Sequence, residues 1–229
     1  MLWRVCRFLA GVALLPVCAG MALALARLAH DVQAAWPPVP DDAWWLAGGF
    51  AAWVLMYALL PRPVRSYVLA HELTHALWAW AMGARDSNMK VGEDSGSVTL
   101  SKTNFLILLA PYFFPLYAVL LVALYGVLGL FYDVGRYHLW WMGMLGMAWG
   151  FHATFTVATL LQKQSDIRSC GRLFSFAFIV LMNLLAVGLW AVAVTDATLE
   201  AYVGHVGNAV HETFLRLDVL LSEAVNALR

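Results

Sequence analysis

Apolar segments of the length a membrane-crossing helix needs, about 20 residues, recur along this chain of 229 residues. Six stand out, at 8–28, 43–60, 66–83, 104–131, 139–161 and 173–194. In hydrocarbon every backbone N–H and C=O must be satisfied within the protein, so such segments fold as helices. The chain is 62% hydrophobic and 12% charged, against about 45–50% and about 25% in soluble domains. The expected fold class is therefore an all-α polytopic membrane protein with about six transmembrane helices and the lipid bilayer as its first partner. With 14 basic and 14 acidic residues, no polybasic surface points to nucleic acid as a partner. Cys6, Cys18 and Cys170 give no even framework. Two of them lie in or beside the first apolar segment, so no structural disulfide is expected.

The N-terminal run imitates a secretory signal, with Arg4 and Arg7 ahead of an apolar stretch. It exceeds the usual apolar core of about 7–15 residues, which favours an uncleaved anchor. Arg4, Arg7, Arg62 and Arg65 favour a cytoplasmic N-terminus, but Lys163, Arg168 and Arg172 oppose that orientation. Pro61-Arg62-Pro63 breaks the chain before the third segment. Pro111 and Pro115 predict a kink or a partly re-entrant path in the fourth. Between segments three and four, Met89-Lys90-Val91, a Gly/Asp/Ser turn and Ser97-Val98-Thr99-Leu100 read as strand, turn, strand. This β-hairpin is either a plain connection or an edge, around Val98, that holds an extended substrate by main-chain hydrogen bonds. Beyond residue 195 the apolar residues Leu199, Val203, Val206, Val210, Phe214, Leu217, Leu221, Val225 and Leu228 form a helical stripe. That pattern predicts a C-terminal amphipathic helix lying on the membrane or on the bundle.

Within the third segment stands His71-Glu72-Leu73-Thr74-His75. On a helix, positions i and i+4 share a face, so both imidazoles can bind one Zn²⁺. Glu72 then lies beside the metal, where a carboxylate can act as general base. Three ionisable groups in one turn of an apolar helix are costly unless they have a function. A catalytic zinc usually takes three protein ligands. No further ligand follows within Ala76-Leu77-Trp78-Ala79-Trp80, so the third comes from elsewhere: Asp133, His138, His152 or Asp166. Asn104 and Asn183 are polar residues within apolar segments. Each is able to make interhelical bonds or to donate to a substrate.

The motif, with Gln164-Ser165-Asp166-Ile167-Arg168 and Gly171-Arg172 roughly 90 residues further on, resembles the site-2 proteases, a family of intramembrane zinc metalloproteases. The resemblance runs over about 66–185, without a PDZ-like insertion, and fits a divergent bacterial branch. It implies His71, His75 and Asp166 as zinc ligands, Glu72 as the base, and a contact with substrate at Asn104. The implied substrate is a transmembrane or membrane-anchored protein, and the implied location is the bacterial inner membrane. The implied organisation is a transmembrane metalloprotease domain at 1–195, with its core at 66–194, followed by the amphipathic helix at 196–229. The alternative is a non-proteolytic metal-binding membrane subunit or a helix-binding pseudoprotease. If Asp166 is the third ligand, some segment between residues 83 and 162 has to bend or re-enter. Straight alternation would otherwise leave Asp166 on the far face from His71.

Overall fold

In a computed structural model the chain is described at residues 2–35, 41–84, 87–92 and 96–229. The helices are α1 (Leu2–Ala35), α2 (Asp41–Leu59) and α3 (Val64–Ala81), and two strands follow, β1 (Ser87–Val91) and β2 (Gly96–Leu100). After them come α4 (Phe105–Leu109), α5 (Leu116–Gly129), α6 (His138–Leu160), α7 (Ser165–Cys170), α8 (Arg172–Val194) and α9 (Leu199–Ala227). The protein is thus mostly helical with one small antiparallel sheet. By compactness it divides into one unit of Met1–Val39 with Cys170–Arg229, and a second of Pro40–Ser169.

Among the described residues two helices, Leu2–Val32 and Arg172–Val194, are long and apolar enough to cross a membrane. The expected count of six spans is not supported. α2, α3 and α6 have the length but not the mean hydropathy. Asp41, Asp42 and three tryptophans dilute α2, the Arg65, His and Glu side chains dilute α3, and Trp, Gly, His and Thr dilute α6. The fourth segment is not one helix. Phe105–Tyr112 and Leu116–Gly129 are long and apolar enough to cross only when taken together, and they are bent by 81° at the Pro115 break. Large apolar side chains such as Leu55, Leu59, Leu120 and Leu124 are nonetheless exposed on α2 and α5, as suits contact with lipid rather than water.

In the first unit α1 and α8 run parallel: Gly11 meets Leu173 and Phe174, and the Cys18 thiol donates to the Ala177 carbonyl. α9 returns antiparallel along α1, and Gly20 leaves no room for a Cβ against the Val210 backbone. Arg27 and Glu212 pair at 2.7 Å, and His205 and Asp31 at 2.8 Å. Thr198 caps the start of α9 by accepting from the Ala201 N–H. The amphipathic helix therefore packs on the bundle along its N-terminal half, burying Tyr202 and Ala209, while its last three turns expose their apolar residues.

In the second unit α2 and α6 lie side by side and parallel. Trp45 meets Trp140 at one end and Tyr57 meets Phe155 at the other. Between them Gly49 packs on the Gly143 backbone and Gly146 on the Leu46 carbonyl, so no side chain larger than hydrogen fits at either place. Small residues let helices approach this closely. α5 runs antiparallel to α6, with Tyr117 against Phe151 and Tyr125 against His138. Because α2 and α6 are parallel, their C-terminal ends share one side of the unit. α3 begins at that side, directly after Pro63, and α7 begins there too. The break in the fourth segment is what makes this possible: α4 and the 3-10 turn Ala110–Tyr112 run back along α3, and only α5 makes the return pass.

Candidate metal centre

α3 starts after Pro63, whose fixed φ suits a helix entrance, and it ends at Gly83, which takes φ +81°. His71 and His75 stand one turn apart on its inner face. Their rings meet edge to face at 4.9 Å. Asp166 lies in the first turn of α7 and presents Oδ2 to both imidazoles, at 3.7 Å from His71 Nε2 and 3.5 Å from His75 Nε2. All three ligand atoms lie within 4.8 Å of one another, and the group can hold a metal ion. The spacing itself is informative. These separations exceed a good N–H···O bond. They lie near, and somewhat above, the about 3.3 Å between neighbouring ligand atoms around a tetrahedral zinc with bonds of about 2.0–2.1 Å.

The outer nitrogens are already engaged. His75 Nδ1 lies 2.8 Å from the Ile107 carbonyl on α4, and His71 Nδ1 lies 3.1 Å from the Tyr67 hydroxyl. The Ile107 carbonyl can only accept, so it fixes the His75 tautomer that leaves Nε2 with a lone pair facing inward, while the Tyr67 hydroxyl, able to donate or accept, anchors the His71 ring. Burial alone would raise the Asp166 carboxyl, but the imidazoles of His71 and His75 outweigh it and hold the group well below the usual carboxylate range. The donor set, two imidazoles and one carboxylate in a partly buried cluster, fits zinc.

Glu72 is buried beside this group. With His71 it lines a cavity of about 380 Å³ bounded by Tyr57, Arg62, Phe155, Thr159 and Gln162. The hairpin reaches the same place. A Cβ on Gly96 would stand 2.7 Å from the Glu72 Cγ and the Val68 Cγ1, so the first residue of β2 lies directly on the glutamate.

The other sequence candidates go elsewhere. His152 is buried on α6, edge-on to Trp149, outside the three-ligand group. His138 bonds Asp42 at 3.0 Å and Tyr125 at 3.2 Å at the opposite end of α6. Asp133 accepts from the Gly135 N–H. Asn104 caps α4 by accepting from the Ile107 N–H at 2.9 Å, and it donates to the Met82 thioether. Its amide is committed to holding the chain rather than lining the cavity. Asn183 donates to the Ile179 carbonyl within α8. Val98 is half-buried in the middle of β2, opposite Met89, and among the described hairpin residues it is Gly96 that lines the cavity wall. Two residues missed in the sequence stand at the site. Tyr67 sits one turn before His71, a spacing that was readable. Tyr112, fully buried, donates from its hydroxyl to Asp166 Oδ2 at 3.2 Å; no local signal marked it. The chain matches no family model, no curated protein and no solved structure.

Proposed function

We propose that the protein is an intramembrane zinc metalloendopeptidase that hydrolyses peptide bonds of transmembrane or membrane-anchored proteins. The resemblance to the site-2 proteases adds a location in the bacterial inner membrane. The observation that carries this reading is the convergence of His71 Nε2, His75 Nε2 and Asp166 Oδ2 at metal-ligand spacing, with Glu72 beside them on a cavity wall. His71, His75 and Asp166 would hold Zn²⁺, which when bound supplies a Lewis acid that polarises a carbonyl and lowers the pKa of water toward about 7. Glu72 is the general base: it takes the proton from the attacking water and later passes it to the leaving amine. The 380 Å³ cavity gives an extended peptide access to Glu72 and His71. The Gly96 end of β2 lies where main-chain bonds to that peptide can form. A helical peptide bond is shielded by its own turn, so the substrate has to unwind locally to enter. Glu72 has no part in holding metal, and its burial in a three-ligand site favours catalysis over a purely metal-binding role.

The test is cleavage of a membrane-anchored substrate by wild type and Glu72→Gln at equal zinc content. Cleavage by wild type alone supports the enzyme. Zinc bound by both proteins with no cleavage by either favours the non-proteolytic alternative.

A further inference from the structure

Each ligand of the proposed centre is keyed to a different element, and two of the three keys are tyrosine hydroxyls. His75 is held by the backbone of α4, through the Ile107 carbonyl. His71 is held by Tyr67, whose ring stacks on Phe155 of α6 at 4.8 Å and 6°. The Tyr67 hydroxyl also lies within hydrogen-bonding reach of Thr159 on α6. Asp166 is held by Tyr112, whose ring stands edge-on to His71 at 5.2 Å. We infer that Tyr67 and Tyr112 are positioning residues that set the metal affinity of this site, Tyr67 by fixing the rotation of the His71 ring and Tyr112 by fixing the Asp166 carboxylate. The inference rests on the zinc reading above.

The physical reasoning is direct. With Nε2 committed to a metal, His71 Nδ1 carries its proton and donates to the Tyr67 oxygen. The Tyr67 oxygen can still take a bond from Thr159, so α6 fixes the ring at two points. Without the hydroxyl the imidazole is free to rotate, and part of the affinity goes into re-ordering it. Tyr112 donates to Oδ2, the oxygen that faces the imidazoles. That bond orients the carboxylate from a fully buried position, while Oδ1 accepts from the exposed Ser165 hydroxyl at 3.4 Å. Outer partners of this kind are typically worth about 10–100-fold in metal affinity.

The experiment is zinc competition against a chromophoric chelator on the full-length protein in detergent, for wild type, Tyr67→Phe, Tyr112→Phe, Thr159→Val and His75→Ala. Each phenylalanine variant should lose about 10–100-fold in affinity, with unchanged helicity and metal-free melting. The visible bands of the cobalt-loaded variants should shift, because the ligand geometry loosens. Thr159→Val keeps both rings and should weaken zinc binding in the same direction, by less. This variant carries the test if a phenylalanine variant fails to fold. His75→Ala should abolish binding. Wild-type zinc binding with both phenylalanine variants within twofold, or with Thr159→Val unchanged where Tyr67→Phe does not fold, overturns this inference alone. A wild type that binds no zinc overturns the proposed function with it.

Discussion

His–Asp pairs occur in both units of the chain, and they are not alike. In the first unit His205 and Asp31 meet at 2.8 Å, tying α9 to α1. In the second unit, His138 and Asp42 meet at 3.0 Å and tie α6 to α2. Both are hydrogen bonds in which the two groups satisfy one another. At the candidate centre the distances open to 3.5 and 3.7 Å, two imidazoles face one carboxylate oxygen, and His75 is buried while His71 and Asp166 keep 10% and 17% of their side chains exposed. Asp166 Oδ2 also accepts from the Tyr112 hydroxyl at 3.2 Å, and the three ligand atoms together form a group that could hold a metal ion. The difference shows that a histidine beside an aspartate says little by itself. What marks a site is the separation and the direction of the remaining nitrogen.

Breaking the two kinds of pair should have opposite consequences. Asp166→Ala leaves a two-ligand site and should lower zinc affinity by more than about 100-fold, beyond the usual loss from an outer partner. Asp31→Ala should leave zinc content at the wild-type value. Elemental analysis of both purified variants makes the comparison. Next in size, Glu72→Gln should retain the metal and lose at least about 10²-fold in cleavage rate, the scale of a general acid–base contribution. Loss of zinc in step with activity would make Glu72 a ligand or a structural residue.

Two steric predictions separate the units by stability rather than chemistry. Gly20→Val drives a side chain into the Val210 backbone and should destabilise the α1–α9 pairing by about 1–3 kcal/mol. Zinc content should not change, as read by thermal melting with metal analysis. Gly96→Ala places a methyl 2.7 Å from the Glu72 Cγ. It should lower cleavage with little change in melting, since the β1–β2 hairpin can shift outward. Unchanged cleavage there would mean that the hairpin is only a connection.

Much of this could be read from the chain, for reasons tied to particular residues. The i, i+4 spacing of His71 and His75 is local geometry, and so is the stripe that built α9. Pro111 and Pro115 marked the break that appears as an 81° bend. The number of spans was less legible. Apolar run length ignores how Trp, Gly and paired acids dilute α2 and α6, and how the ionisable motif dilutes α3. The side of the unit on which Asp166 arrives depends on α2 and α6 being parallel. That is a tertiary fact set by the Gly49 and Gly146 contacts rather than by any local pattern. Asn104 looked like a functional amide because it stands in an apolar run. The short side chain instead caps the helix that carries Ile107, work that Asn does well. Tyr112 was invisible because nothing in Ala110-Pro111-Tyr112 points across to a helix more than fifty residues later.

The central claim is that two imidazoles and one carboxylate of this chain hold one zinc ion. X-ray absorption on the zinc-loaded protein, with metal content measured on the same sample, tests it most directly. The account predicts about one zinc per chain, with two imidazole nitrogens and oxygen ligands at about 2.0–2.2 Å, and loss of that signal in Asp166→Ala. Zinc retained in Asp166→Ala with three imidazoles in the shell would contradict it and move the third ligand to another histidine, His152 first.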